Sequence, residues 1–154
     1  MICPEDFVSH LNKLGINFFV GVPDSLLKNL ISFVKTNQTK NKFHIVANEG
    51  NAIAVASGYN LATSKIPVVY MQNSGLGNCI NPLTSLTNKE VYSIPMLLII
   101  GWRGDPEIKD EPQHALPGKI LNKQLEIMNI PAYELDKNSN YKELISLSIK
   151  TLNK

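Results

Sequence analysis

The sequence predicts an α/β protein, a three-layer α/β/α domain with a central parallel sheet. Short apolar runs alternate along the chain with segments of helical periodicity. The runs are continuous in hydrophobicity, which is typical of parallel strands that are covered on both faces. Alternation of strands and helices gives a sheet with helices on each side. At 154 residues, the chain is long enough for one such domain with its own core.

Five runs are predicted to be strands, because each is short and rich in β-branched, aromatic or aliphatic side chains. They are NFFVG (17–21), FHIVA (43–47), PVVYMQ (67–72), PMLLIIG (95–101) and AYEL (132–135). Since crossover helices make such strands parallel, their carboxyl ends are expected to meet at one edge of the sheet. Open α/β sheets bind their ligands at that edge.

Helices are predicted between the strands. The first begins at Pro4, a residue favoured in a first helical turn, and ends before Gly15. In the second, Asp24 or Ser25 is predicted to be the N-cap, and Asn48 is predicted to cap the helix EGNAIAVASGYNLAT. The last helix, YKELISLSIKTL, places its apolar residues on one face.

Composition indicates an ordinary globular domain, with 44% hydrophobic and 18% charged residues. The net charge is only +2 and the basic residues are scattered, so nucleic-acid binding is not expected. No apolar run is long enough for a membrane span, and the first residues lack the pattern of a secretory signal. Cys3 and Cys79 match no metal-ligand spacing, so no metal site is predicted on this chain. These features favour a cytoplasmic protein in which Cys79 is a small buried side chain.

Glu49 stands out among the carboxylates, since it begins a helix made almost entirely of small and apolar residues. The dipole of a helix favours an acidic side chain in its first turn, and this alone would explain the residue. Alternatively, the carboxylate lies near a cleft and faces a proton-bearing atom of a ligand. The pattern leaves both interpretations open.

The segment NSGLGN at 73–78 follows a predicted strand and contains two glycines. It lacks the Lys and Ser/Thr of the Walker pattern and is not G-x-G-x-x-G, so phosphate binding has little support. Two interpretations remain. Either a flat ring packs against its backbone, or the segment is a tight turn between strand and helix.

The segment 101–118 is rich in proline, glycine and charged residues and follows the strongest predicted strand. It is predicted to be a long polar loop at the ligand-binding edge. His114 and Gln113 lie in it, together with Arg103 and Lys109, which would suit an anionic substrate. A histidine in such a loop is equally compatible with a solvent-exposed position.

Five stretches together resemble the pyrimidine-binding domain of thiamine-diphosphate-dependent decarboxylases. They are GVPDSLLK, ANEGNAIAVASGYNLAT, PVVYMQNSGLGNCINPLTSL, YSIPMLLIIGWRG and DEPQH. Within that family, the resemblance is to phosphonopyruvate decarboxylase and to the alpha subunit of sulfopyruvate decarboxylase. It implies the thiamine-diphosphate-binding fold in a single domain, 1–154. It also implies decarboxylation of a 2-oxo acid, with phosphonopyruvate, which gives phosphonoacetaldehyde, as the first candidate.

The resemblance also implies roles for individual residues. Glu49 would hydrogen-bond a pyrimidine nitrogen of the cofactor, Asp24 would assist protonation, and His114 would be the active-site histidine. The cofactor ring is expected against Asn73, Ser74, Gly75, Leu76, Gly77 and Asn78. The anionic substrate is expected at Ser25, Arg103, Lys109 and Gln113.

One motif of the single-chain family members is missing. Those proteins hold the cofactor diphosphate through magnesium with a Gly-Asp-Gly motif, whereas this chain has Gly-Asp only in GDP at 104–106. Magnesium is therefore expected on a partner, a diphosphate-domain (beta) subunit, in a homodimeric or hetero-oligomeric assembly. The chain would be a natural alpha subunit or a fragment of a longer product. The alternatives are an alpha subunit acting on sulfopyruvate, and a non-catalytic domain that binds a partner or a small anion.

Overall fold

Four short strands form a single parallel sheet in the computed structural model, which describes residues 2–152. They are β1 (Phe19–Gly21), β2 (Phe43–Ile45), β3 (Val68–Gln72) and β4 (Leu97–Gly101). Their order across the sheet is β2–β1–β3–β4, with Phe19 opposite both Phe43 and Val68. Because every pairing is parallel, the carboxyl ends of the four strands lie at one edge.

Helices cover both faces of this sheet. They are α1 (Pro4–Lys13), α2 (Lys28–Asn37), α3 (Glu49–Thr63), α4 (Ile80–Ser85), α5 (Pro112–Ile127) and α6 (Tyr141–Leu152). Residues of α3, α4 and α5 pack on one face, and residues of α1, α2 and α6 pack on the other. The predicted three-layer α/β fold is therefore confirmed. Within residues 2–152, no helix combines the length and the apolar character that a membrane span needs.

The core consists of two clusters, one on each face of the sheet, because successive strand residues point to opposite faces. Val20, Val69 and Met71 pack toward α3 and α5. Phe19 and Tyr70 pack toward α1, α2 and α6. All five are almost completely buried, and burial of a large apolar side chain stabilises a fold by roughly 1.5–3 kcal/mol. The strands that carry the candidate site at their ends are thus anchored from both sides.

Two predicted helix ends are confirmed. Pro4 is the first residue of α1, and Gly15, just beyond its end, has a φ of +78°, which glycine adopts without strain. Asn48 precedes α3, and its side chain accepts a hydrogen bond from the Asn51 backbone N–H at 3.0 Å. This cap fixes the first turn of α3, which begins with Glu49.

The predicted cap of the second helix was wrong. Helix α2 begins at Lys28, and neither Asp24 nor Ser25 caps it. Instead, the Asp24 carboxylate accepts a hydrogen bond from the Leu26 backbone N–H at 2.9 Å and closes a local turn before the helix. The carboxylate that could have capped α2 is therefore held at the end of β1.

The predicted fifth strand, 132–135, was also wrong, since these residues pair with no strand of the sheet. Tyr133 and Leu135 instead line a cavity of about 580 Å³ between the free edge of β4 and helix α6. The Tyr133 hydroxyl lies 3.4 Å from Thr151 Oγ1 on that helix. The cavity separates the segment from the backbone of β4, so a ladder of hydrogen bonds does not form.

The segment 101–118 is only partly the predicted loop. Helix α5 begins at Pro112, so Gln113 and His114 lie in its first turn and not in a loop. The start of the helix packs tightly on the preceding loop, because a Cβ at Gly118 would collide with the Gly104 carbonyl. Trp102 Nε1 also donates to the Gly118 carbonyl at 2.9 Å, which ties the end of β4 to α5.

Candidate functional site

Glu49 is the first residue of α3 and is half-buried. Asn78 Nδ2 donates a hydrogen bond of 2.7 Å to Glu49 Oε2. Gly75 lies directly against the same carboxylate, and any Cβ at this position would collide with it. Within the described residues, Glu49 Oε1 takes part in no hydrogen bond with the chain. One oxygen of the carboxylate is thus hydrogen-bonded to Asn78, and the other lies against Gly75 without a hydrogen-bond partner in the described residues.

The segment NSGLGN forms a 3-10 helix, Asn73–Cys79, between β3 and α4. Asn73 is buried and makes two hydrogen bonds with the Arg103 backbone: its Oδ1 accepts from N–H at 3.0 Å and its Nδ2 donates to the carbonyl at 2.8 Å. Leu76 is completely buried in the core. The segment is therefore a turn that joins the ends of β3 and β4. It also provides the glycine surface beside Glu49.

Cys79 closes this turn and is completely buried. Its Sγ contacts the Gly75 carbonyl at 3.7 Å. Burial, with a smaller contribution from the negative charge of Glu49, raises the pKa of the Cys79 thiol to about 12. The thiol is accordingly a packing group and not a nucleophile, as its sequence context predicted.

Asp24 lies at the end of β1 and is only 6% exposed. Its Oδ1 accepts a hydrogen bond of 2.7 Å from Gln72 Nε2, and Gln72 Oε1 accepts one of 2.6 Å from Ser74 Oγ. A Cβ at Gly101 would collide with the Asp24 carboxylate, so the end of β4 closes over it. The ends of three strands are thereby linked through one buried carboxylate.

Gln72 was missed by the sequence analysis, although a signal was present. It is the last residue of β3 and the polar end of an apolar run, VVYMQ. A polar side chain at the carboxyl end of a parallel strand lies at the ligand-binding edge. The sequence alone does not indicate its partner, because Asp24 precedes it by 48 residues.

Arg103 and Asp110 form an ion pair at the end of β4. Arg103 donates from Nε to Oδ2 at 2.7 Å and from Nη2 to Oδ1 at 2.5 Å, and Nη1 donates to Ser25 Oγ at 2.9 Å. The hydrogen bonds from Arg103, followed by those from the backbone N–H groups of Glu111 and Gly104, hold the pKa of Asp110 well below its usual range. The same pairing raises the pKa of Arg103. The structure thus joins two predicted substrate-binding residues, Arg103 and Ser25, and adds an acid that the prediction omitted.

The other three candidates lie outside this network. Lys109 and Gln113 are exposed, and His114 is half-buried in the first turn of α5. Within residues 2–152, no side-chain hydrogen bond joins any of them to Glu49 or Asp24. The same part of the chain contains no group of three His, Cys, Asp or Glu residues arranged to hold a metal ion.

The cavity of about 580 Å³ beside β4 does not include these residues. Its lining comes mainly from β4, the segment 130–136 and helices α5 and α6, with Phe7, Leu26, Leu27 and Ile108 beside them, and most of it is aliphatic or aromatic. None of the candidate site residues contributes to it. The candidate site at the sheet edge is thus separate from this cavity, and Ser74, Gly77 and Asn78 around Glu49 are exposed.

Comparison with known proteins matches residues 3–127 to the family described as "Thiamine pyrophosphate enzyme, N-terminal TPP binding domain". The chain belongs to this thiamine pyrophosphate enzyme family. It is 42% identical over 130 residues to a phosphonopyruvate decarboxylase of Streptomyces viridochromogenes, an alignment that covers 84% of this chain and 32% of the relative. It is 37% identical over 126 residues to the sulfopyruvate decarboxylase subunit alpha of Methanocaldococcus jannaschii, with 80% of this chain and 70% of that subunit covered. The chain therefore spans about a third of the phosphonopyruvate decarboxylase and most of the alpha subunit.

A solved structure supports the same fold. The thiamine diphosphate-dependent 4-hydroxybenzoylformate decarboxylase of Rhodococcus jostii superposes with a TM-score of 0.56 and 16% sequence identity. The superposition covers 98% of this chain and 37% of the other. At this identity, the similarity concerns the fold alone, and it agrees with the parallel sheet described above.

The surface around Glu49 fits an aromatic ring of thiamine pyrophosphate, the cofactor after which the family is named. Gly75 makes room for the Glu49 carboxylate, because a side chain there would displace it, and the space at Gly77 is open to a flat ring, since a Cβ there would meet nothing within 4 Å. Gly50 lets α3 approach the turn closely, since a Cβ added at this position would lie 2.8 Å from the Asn78 carbonyl oxygen. A hydrogen-bonding carboxylate next to bare backbone suits a nitrogen heterocycle better than it suits a phosphate.

Proposed function

We propose that this chain supplies the pyrimidine-binding half of a thiamine-diphosphate-dependent 2-oxo acid decarboxylase. The observation that carries the proposal is the geometry of Glu49, with Oε2 hydrogen-bonded to Asn78, the carboxylate lying against Gly75, and Oε1 without a hydrogen-bond partner among the described residues. Membership of the thiamine pyrophosphate enzyme family supports the identity of the ligand. Bound thiamine diphosphate would provide the electron sink that decarboxylation requires.

Glu49 is proposed to bind a ring nitrogen of the pyrimidine through Oε1. A carboxylate and a ring nitrogen at hydrogen-bond distance can share a proton, which is the requirement for an acid–base role. Ser74, Gly75, Gly77 and Asn78 are proposed to form the surface beneath the ring. The contacts of Asn73 and Leu76 suggest a supporting role instead, because Asn73 bonds the Arg103 backbone and Leu76 lies in the core.

Asp24 is proposed to assist proton transfer at the substrate. Its carboxylate is nearly buried at the sheet edge, and its orientation is fixed by Gln72 and by the Leu26 backbone N–H. Fixed orientation reduces the reorganisation needed when a proton moves. His114 remains a candidate for the same task, since its first-turn position on α5 lies beside the loop that carries Arg103.

An anionic 2-oxo acid is proposed as the substrate, with phosphonopyruvate as the first candidate and sulfopyruvate as the second. The charge of Arg103 is already matched by Asp110, so this arginine would contribute mainly the N–H groups it directs toward Ser25. Lys109 is exposed and makes no ion pair within the described residues, so it is the cation available to a phosphonate or sulfonate. Gln113, also exposed, is proposed to donate a hydrogen bond to the same group.

Activity is proposed to require a partner, a diphosphate-domain (beta) subunit that carries the magnesium site. The exposure of Ser74, Gly77 and Asn78 around Glu49 supports this, and so does the coverage of most of a relative named as an alpha subunit. The chain would act in the cytoplasm as part of a hetero-oligomer or, through pairing of its own copies, a homodimer. A non-catalytic domain would not need a carboxylate held at this place with one oxygen available.

The test is reconstitution of this chain with the diphosphate-domain protein from the same source, thiamine diphosphate and magnesium. Phosphonopyruvate and sulfopyruvate are supplied in parallel, and the aldehyde product is measured. Aldehyde from one substrate, formed only when both chains are present, is the expected result and identifies the substrate. If the two chains form a folded complex that produces no aldehyde from either compound, the proposed function is wrong.

A further inference from the structure

Asn78 is the only group of the described chain that hydrogen-bonds the Glu49 side chain. The bond runs from Nδ2 to Oε2 and measures 2.7 Å. An amide N–H that donates to a carboxylate is a charge-assisted hydrogen bond, and such bonds are roughly twice as strong as neutral ones. The contact therefore restricts the rotation of the carboxylate and leaves Oε1 as the oxygen without a hydrogen bond to the described chain.

The backbone of Asn78 is itself fixed by its neighbours. The next residue, Cys79, is completely buried and contacts the Gly75 carbonyl. On the opposite side, Gly50 of α3 lies so close that a Cβ there would be 2.8 Å from the Asn78 carbonyl oxygen. The backbone that carries the Asn78 side chain is thus packed between α3 and the turn, while the side chain itself is exposed.

From this geometry, we infer that Asn78 is the positioning residue of Glu49: it binds Oε2 so that Oε1 alone meets the ligand. The inference rests on the proposed function, because it gives Asn78 a role through Glu49 in addition to its proposed place beneath the ring. Gly75 blocks the carboxylate from below and Asn78 holds it at one oxygen, so the carboxylate keeps a single orientation. Without the amide, both oxygens would be free to rotate, and the productive orientation would be only one among several.

Two substitutions separate this role from a structural one. Asn78→Ser shortens the side chain and removes the donor from the carboxylate, while Asn78→Asp keeps the shape but places a second carboxylate against Oε2. The matched control is Asn81→Asp, which adds the same charge on α4, where the Asn81 side chain accepts only from Ser85 Oγ. All variants are studied in the full chain, and turnover is measured in the reconstituted complex.

We expect Asn78→Ser to lower kcat by roughly 10- to 100-fold, the effect of losing one charge-assisted hydrogen bond, with little change in the KM for the 2-oxo acid. We expect Asn78→Asp to lose at least as much, because a second carboxylate repels Oε2 instead of donating a hydrogen bond to it. Asn81→Asp should retain the wild-type kcat and KM. A kcat of Asn78→Asp equal to that of Asn81→Asp would overturn the inference.

A second readout needs neither cofactor nor turnover. In nitrogen-edited NMR spectra of the full chain, the Asn78 side-chain amide resonance is assigned by its loss in Asn78→Ser. At neutral pH its chemical shift should differ between the wild type and Glu49→Gln, because the charged acceptor is lost, and it should be the same in the wild type and in Glu5→Gln. An amide resonance at the same position in the wild type and in Glu49→Gln would show that the hydrogen bond is absent in solution.

The two experiments also separate this inference from the proposed function. Loss of turnover in Glu49→Gln with full turnover in Asn78→Ser would overturn the positioning role and leave the proposed function intact. Full turnover in Glu49→Gln would overturn the proposed function itself, whatever the amide resonance shows.

Discussion

Asp110 holds Arg103 through both carboxylate oxygens, at 2.7 Å from Nε and 2.5 Å from Nη2. The same carboxylate accepts hydrogen bonds from the Gly104 and Glu111 backbone N–H groups, so it organises the turn that follows β4. The cation that the sequence assigns to the substrate is thus already engaged within the chain. Arg103 therefore stabilises the turn that follows β4 and links this turn to Ser25.

Asp110→Asn should make the protein less stable, and the loss should depend on pH. Because the pKa of Asp110 is lowered on folding, the stabilisation by its ionised form is fully present at neutral pH and decreases as the pH falls below about 4. The difference in melting temperature between wild type and variant should therefore shrink in acid. Glu107→Gln, at an exposed position of the same loop, should melt like wild type. A difference that stays constant from neutral pH to strong acid would contradict the assigned cause.

Gly75→Ala should abolish decarboxylation and leave the fold intact. The new Cβ would displace the Glu49 carboxylate, which is the end of a flexible side chain, and would leave the core in place. Gly58→Ala is the control, since its Cβ would meet nothing within 4 Å, and an alanine within α3 should stabilise the protein by roughly 0.5–1 kcal/mol. The measurements are melting temperature and turnover in the complex. Full turnover of Gly75→Ala would show that the carboxylate is not needed in its observed position.

Gln72→Ala should destabilise the chain by about 1–3 kcal/mol, because it leaves Asp24 Oδ1 without its donor in a nearly buried site. Gln38→Ala is the matched control: it removes a similar amide whose partner, Asn12, is exposed, and such changes usually cost less than about 0.5 kcal/mol. Denaturant unfolding of the three proteins measures both differences. Equal free energies of unfolding for the two variants would mean that the hydrogen bond from Gln72 to Asp24 does not stabilise the fold.

Cys79 should resist alkylation in the folded protein, whereas Cys3 should react. Cys3 is exposed, while Cys79 is buried with a thiol pKa raised to about 12, so almost none of the reactive thiolate forms at neutral pH. Mass spectrometry after treatment with an alkylating reagent, with and without denaturant, locates the modification. Rapid modification of Cys79 in the native protein would indicate that the turn at 73–79 opens.

The sequence predicted the first four strands, because continuous apolar runs mark buried parallel strands. It failed at 132–135, where a run of strand-like residues lines a cavity instead of pairing with β4. It placed His114 in a loop because Pro112 was interpreted as a loop residue, whereas it opens α5. The contacts of Gln72 and Asp110 could not be predicted, because they form only when the chain folds. Gln72, for example, hydrogen-bonds Asp24, which lies 48 residues earlier in the sequence.

The central claim concerns Glu49, and the most direct measurement is turnover of the reconstituted complex with Glu49→Gln. The amide keeps the size of the side chain but cannot exchange a proton with a ring nitrogen, so we expect turnover to fall by at least about 100-fold with an unchanged melting temperature. Glu5→Gln, a glutamate in the first turn of α1 that is exposed, is the matched control and should retain full activity. Turnover of Glu49→Gln equal to that of Glu5→Gln would contradict the account.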